Sequence, residues 1–287
     1  MNHEPLTKPT GLRKIRWALV KSKAVHDIWY SLVYLMSDFY VVSYPRSGRT
    51  WTKTMLYKVL QETYGLKRRN LDLYKITLGT RAPNIVFEHP QCSDYPIDEN
   101  FDRLSIPKKF NKMKMVLILR NPHDLVVSNY FEYTTRKKRW QGDMSTFIRK
   151  RFGTERIIEF INLWYPFCVS RNDKALIIYY EEMKQNPARE LKQICRFFDI
   201  PASDEIIKSA VEFGSVDNMR KLEQEDYFKN DKIRPANTQN KESYKVRKAK
   251  VVGFRNYLNK SDIEYIDGLI KLKLNPDVGY YGLEYKR

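Results

Sequence analysis

Cysteine is nearly absent: Cys92, Cys168 and Cys195 are the only three in 287 residues, an odd number with no CxxC spacing. That argues against a disulfide framework or a zinc site and suits a reducing, cytoplasmic setting. Histidine is also rare, with four residues at positions 3, 26, 89 and 123, so few side chains titrate near neutral pH. Long apolar runs are missing. The most apolar stretch, Ile28 to Val42, is broken by Asp38 and falls short of the roughly 20 residues of a spanning helix, so no transmembrane segment is expected. The N-terminus lacks a short apolar core followed by a small-residue cleavage site, which predicts no secretory signal. Negative charge is in deficit, with 34 Asp and Glu against 52 Lys and Arg. The net charge of +18 sets the sign of the partner as anionic without identifying it.

What is present suffices for a full core, with 42% hydrophobic residues. Short apolar runs recur at 39–43 (FYVVS), 84–87 (NIVF), 115–119 (MVLIL) and 175–180 (ALIIYY). Three of them read as buried parallel strands. Helical patterns follow the first run (Thr50 to Tyr64), the third (Pro122 to Thr135) and the fourth (Asn186-Pro187 through Phe198). This alternation predicts an α/β fold, a single domain with a central parallel sheet flanked by helices. Ser261-Asp-Ile-Glu264 reads as a capping box opening a helix to about Leu274. Residues 1–38 form a basic amphipathic segment ahead of the domain at 39–287; it fits a surface helix packed on the domain or one lying on an anionic membrane.

The stretch VVSYPRSGRTWTK, Val41 to Lys53, leads from a strand through a tight turn into a helix start. Such a turn aims backbone N–H groups and the positive end of the helix dipole at one spot, an anion site to which Arg46 and Arg49 add charge. Against the phosphate-loop pattern G-x-x-x-x-G-K-[ST], Ser43 replaces the first Gly and Arg49 the Lys, while Gly48 and Thr50 are kept, so the loop is only P-loop-like. A second basic strand end is Arg120 in LILRNPHDLVVSNY, with Ser128 two helical turns on. Ligands of open parallel sheets bind beyond the carboxyl ends of the strands, so two anion grips suggest a ligand with two separated phosphate-like groups.

SYPRSGRTW and RNPHDLVVSNY resemble the 5′-phosphosulfate loop and 3′-phosphate segment of the sulfotransferase family. VRKAKVVGFRNYL, 246–258, is similar to the family's late Arg-Lys-Gly loop, and the run 177–198 is also family-like. The resemblance covers about 40–275 and implies 3′-phosphoadenosine 5′-phosphosulfate (PAPS) as sulfonate donor, a hydroxyl-bearing acceptor and no metal. It implies that Arg46 contacts the sulfonate and the leaving oxygen, and that Ser47, Gly48, Arg49 and Thr50 cradle the 5′-phosphate. It places Trp51 on the adenine, Tyr180 at its side, and Arg120, Ser128, Arg247 and Lys248 on the 3′-phosphate. His89, in IVFEHPQC, matches the catalytic base; with Arg46 and Ser128 it forms the implied catalytic set. His3 is terminal, His26 lies in the leader, and His123 reads as structural.

The chain departs from the family pattern at several positions. Arg46 stands for a lysine and cannot act as an acid, and Phe87 stands where many relatives carry a second lysine, a loss for which Arg49 is the available substitute. Ala249 replaces a loop glycine and Val216 an adenine-stacking Phe, which together imply weaker donor affinity. The family's dimer motif is not matched between Arg255 and Glu264. Two rivals remain. A nucleotide kinase would use Thr50 for magnesium and needs an acidic partner that the strand ends do not offer. A nucleic-acid binder would use Arg136 to Arg139 and the stretch 241–255; the sulfotransferase resemblance absorbs the second and leaves 136–139 to draw an anionic acceptor or membrane headgroups, with no nucleic acid.

Overall fold

Four runs of β-branched and apolar residues build one sheet in the computed structural model, which describes residues 33, 35–90, 104–229, 251–281 and 284–285. By compactness the chain divides into Met1–Ser37 and Asp38–Arg287, and the description below concerns the second unit. The basic leader lies almost wholly outside the described residues, as do Arg247, Lys248 and Ala249.

All four runs are strands, not three: β1 (Phe39–Ser43), β2 (Ile85–Glu88), β3 (Lys114–Leu119) and β4 (Ala175–Tyr179). They pair in the order β2-β1-β3-β4, every pair parallel. Alternation divides their side chains between two faces. Val41, Val116, Ile118 and Ile178 join the core formed with α1 (Arg49–Tyr64), α7 (Pro187–Phe197) and α8 (Asp204–Phe213). On the other face Tyr40 meets Phe110, which meets Trp164 of α5 (Arg156–Val169). Helices therefore cover both faces, as an all-parallel sheet requires. Among the described residues the remaining α-helices are α2 (Tyr74–Thr77), α3 (Pro122–Phe131), α4 (Met144–Arg149), α6 (Tyr180–Gln185), α9 (Val216–Gln224) and α10 (Lys260–Lys273). Cys168 and Cys195 are buried free thiols, each pushed up to about 12 by burial. Among the described residues no helix is long and apolar enough to cross a membrane.

Two helix ends differ from expectation. The α10 helix is capped by Asn259, whose side chain accepts from the Asp262 N–H, and Ser261 lies inside the helix. Asparagine is a strong N-cap, and Asp262 is buried where Ser145 and Arg149 donate to its carboxylate, which fixes the first turn two residues earlier than a Ser261 cap would. The α3 helix does not reach Thr135 as a regular helix: after Phe131 it widens into a π turn over Glu132–Arg136. Such turns re-aim side chains and recur at functional sites.

The start of α3 is pinned from the far end of the domain. Asp124 accepts from the backbone N–H of Val252 at 2.9 Å and of Phe254 at 3.0 Å. Val252 sits at φ 57°, a conformation that a β-branched side chain resists, so this turn is strained. His123 is fully buried, its ring stacked on Phe254 with centroids 4.7 Å apart. Its Nδ1 lies 3.2 Å from Asn121 Oδ1 and its Nε2 3.1 Å from Asp267 Oδ1, the latter approach too misaligned for a hydrogen bond. Burial pushes His123 down to about 4 and raises the Asp267 carboxyl, so the imidazole is neutral at pH 7.

Replacing Val252 by Gly should relieve the strain, offset in part by the added freedom of the unfolded chain, and raise stability by about 0.5–1 kcal/mol in urea unfolding. A lower midpoint would mean that the Val252 side chain contributes more by packing than its backbone costs. The unfolded chain binds a proton at His123 between about pH 6.5 and 4 that the native chain does not. Stability should therefore fall as pH drops through that window, on the order of 2–3 kcal/mol from this group. His123→Phe keeps the stack and should flatten this limb when unfolding is compared at pH 7 and pH 4.5; an unchanged slope would assign the acid limb to other groups.

Candidate functional site

A parallel sheet brings all its carboxyl ends to one side, and here the chain runs from β1 out to β2 and then returns to place β3 on the opposite flank of β1. The crevice of an open α/β sheet opens at such a reversal. The turn after β1 and Arg120 after β3 flank it. Gly48 caps α1 at φ 94°, and a Cβ there would lie 2.6 Å from the Tyr180 ring, so only glycine lets the turn close against the first residue of α6. The helix it opens has no side-chain cap and no acidic residue in its first turn, leaving its positive end to an external anion. Arg46 itself is left-handed, φ 75°. The Ser47 hydroxyl and Arg120 Nε are buried without hydrogen-bond partners. Two partnerless donors at the same turn are costly unless a ligand takes them, and both suit phosphate oxygens.

The two basic strand ends do meet. Arg120 Nη1 donates to the carbonyl of Arg46 at 2.9 Å, and the Arg120 guanidinium lies over the Tyr180 ring, 4.3 Å from its centroid. Arg46 reaches back to α3, where its Nε donates to Ser128 Oγ at 3.2 Å and its Nη1 to Glu132 at 3.0 Å. Arg120 is also 3.9 Å from Asp124, the carboxylate that holds Val252 and Phe254; burial raises this carboxyl against the opposing pull of Arg120 and the backbone donors. Through it Arg120 is tied to the turn at Val252 to Phe254. Trp51 is half-buried, edge-on to Tyr180 at 6.0 Å, with the Lys184 ammonium 5.0 Å from its ring. Burial lowers the Lys184 pKa, with Arg120 adding to the effect. Tyr180 is buried and shapes the turn through its contacts with Gly48 and Arg120; Arg49 and Thr50 form the first turn of α1, and Val216 opens α9.

His89 follows β2, beside the end of β1. Its Nδ1 lies 2.6 Å from the carbonyl of Ser43, which can only accept, so the proton sits on Nδ1 and Nε2 is the ring's proton acceptor. A cation does stand over Phe87, but from one turn beyond Arg49: Lys53 Nζ is 5.0 Å from the Phe87 ring and 3.6 Å from Asp72. Glu181, also missed in the sequence, accepts from the Asn121 N–H and the Tyr280 hydroxyl, and burial raises its pKa. Asp124 had a readable signal, its i+4 spacing from Arg120. Glu132 had a partial one, its i+4 spacing from Ser128; its link to Arg46 spans 86 residues and leaves no pattern. Among the described residues no cluster of three or more His, Cys, Asp or Glu could hold a metal ion.

Comparison with known proteins supplies the rest. The chain is 25% identical over 254 residues to sulfotransferase 1B1 of Mus musculus, covering 83% of each chain. A crystal structure of a mouse sulfotransferase complexed with PAP superposes with a TM-score of 0.60 at 21% identity, covering 85% of this chain and 86% of the other. Retinol dehydratase in complex with androsterone and PAP gives the same TM-score at 16% identity, covering 84% and 82%. These structures share the fold. The family model for the sulfotransferase domain matches residues 36–276, and on that match the chain belongs to the sulfotransferase family.

Proposed function

We propose that this sulfotransferase draws its sulfonate from PAPS, holds the donor between the turn after β1 and the start of α3, and uses His89 as the base that activates an acceptor hydroxyl. The observation that carries the reading is the meeting of Arg46, Arg120 and Ser128 at the sheet's reversal, beside the partnerless Ser47 hydroxyl and Arg120 Nε. The two solved relatives named above were complexed with PAP, which is adenosine 3′,5′-bisphosphate, the donor without its sulfonate.

In this reading the Ser47 hydroxyl, the first N–H groups of α1 and the Thr50 hydroxyl bind the 5′-phosphate, with Arg49 adding charge. Arg120 and Ser128 hold the 3′-phosphate, and Arg247 and Lys248 join them from the late segment. Trp51 offers the adenine a face, supported by Tyr180. The donor, when bound, supplies an electrophilic sulfur and a phosphate leaving group that needs no proton at neutral pH. His89 Nε2 takes the acceptor's proton as its oxygen attacks sulfur, and the Nδ1–H bond to Ser43 steadies the imidazolium that forms. Arg46 is a fixed cation for the charge growing on the bridging oxygen, and stabilises without donating a proton. The acceptor is a hydroxyl compound; the exposed Lys138 and Arg139 would favour one with an anionic group or bound at a membrane surface. Cytoplasmic, metal-independent operation belongs to the same reading.

Calorimetric titration with adenosine 3′,5′-bisphosphate in the absence of magnesium should show binding that Arg120→Ala weakens by about tenfold or more, the loss of a charge-assisted contact. Binding of ATP alone, and only with magnesium, would favour a nucleotide kinase instead. With PAPS and a panel of phenols and alcohols, His89→Ala should lower sulfonate transfer by about 10²–10⁴-fold and leave bisphosphate binding intact. Full activity in that variant would remove His89 from the mechanism.

A further inference from the structure

Lysine and arginine differ in how many partners they can hold in fixed directions, and Arg46 uses that difference. Its guanidinium donates through Nε to Ser128 and through Nη1 to Glu132, two acceptors in the plane of one rigid fork. An ammonium at the end of a flexible stem has no such plane. Glu132 is the first residue of the widened turn that ends α3, and it also lies 3.4 Å from Arg136 Nε. Both Arg46 and Glu132 are only 11% exposed, so the pair is poorly screened by water. The Ser128 hydroxyl has one proton; with its oxygen accepting from Arg46 Nε, that proton is turned outward, away from the guanidinium.

A carboxylate beside an anion-binding turn is unfavourable by Coulomb's law alone, since it repels the ligand the turn is built to hold. Its presence there calls for a compensating role. We propose that Glu132 is a positioning residue for the donor: by anchoring one arm of Arg46 it orients the other toward Ser128, and so orients the Ser128 hydroxyl toward the 3′-phosphate. This rests on the reading of Arg46 and Ser128 as donor ligands. It also accounts for arginine at the loop's lysine position, because Arg46 and Glu132 act as a matched pair.

The test is calorimetric titration of the full chain with adenosine 3′,5′-bisphosphate, for wild type, Glu132→Gln, Glu132→Asp, Arg46→Lys and the Arg46→Lys pairings with each Glu132 variant. Glu132→Gln should weaken binding by about fivefold or more although it removes a negative charge from the site, a sign opposite to simple electrostatics. In the Arg46→Lys background the same change should have no further effect, and Glu132→Asp should recover part of the affinity. Thermal unfolding of each variant separates this from loss of fold, which would persist in both backgrounds. Should Glu132→Gln not fold, Glu132→Asp decides: a loss confined to the Arg46 background supports the role, and no loss or an equal loss in both overturns it. Unchanged or tighter binding by Glu132→Gln also overturns it. Wild type that fails to bind the bisphosphate at all defeats the donor reading itself, and this proposal with it.

Discussion

The guanidinium of Arg120 is the point at which four segments of the domain are fastened together. It donates to the carbonyl of Arg46 in the turn after β1, lies on the Tyr180 ring at the end of β4, and faces Asp124, which holds the backbone at Val252 and Phe254. Each contact is of a different physical kind: a charge-assisted hydrogen bond, a cation–π contact and an ion pair reinforced by backbone donors. Their common effect is to hold a strained turn, with left-handed Arg46 and Gly48, in a shape it would not keep by itself.

Buried carboxylates carry much of this framework. Asp124 and Glu181 are both almost fully buried at the carboxyl end of the sheet, and burial pushes the pKa of each upward. Each accepts from donors that favour the charged form and fix a chain segment: Asp124 takes the Val252 and Phe254 N–H groups of the turn at 252–254, and Glu181 takes the Asn121 N–H at the entry to α3 together with the Tyr280 hydroxyl. Removing one such group would leave partners buried without an acceptor, a larger loss than the net value of the bonds.

Much of the architecture was legible because it rests on local pattern. The β-branched runs mark the strands, Asn121-Pro122 and Asn186-Pro187 mark helix starts, and Gly48 marks the turn that opens α1. The family motifs named Arg46, Arg120, Ser128 and His89, and of these the structure brings Arg46, Arg120 and Ser128 into contact. What escaped was set by tertiary partners. Ser261 and Asn259 are comparable caps on propensity, and the choice between them follows from Ser145 and Arg149, more than 100 residues away, claiming Asp262. The widening of α3 after Phe131 has no composition signal of its own. Lys53 was hidden because its partners, Phe87 and Asp72, come from other elements.

The tie between Glu181 and Tyr280 makes the two ends of the domain interdependent. Tyr280 donates to Glu181 at 2.8 Å, Tyr179 donates to the carbonyl of Val278, and Glu181 receives the amide next to Arg120. The residues near 280 therefore act as a keystone for the start of α3 beside Arg120, although they lie 160 positions from it in the chain. A change at Tyr280 that breaks this tie would loosen the chain at Asn121 from a distance, whereas a change on the outer face of a helix that makes no such tie would leave that segment undisturbed.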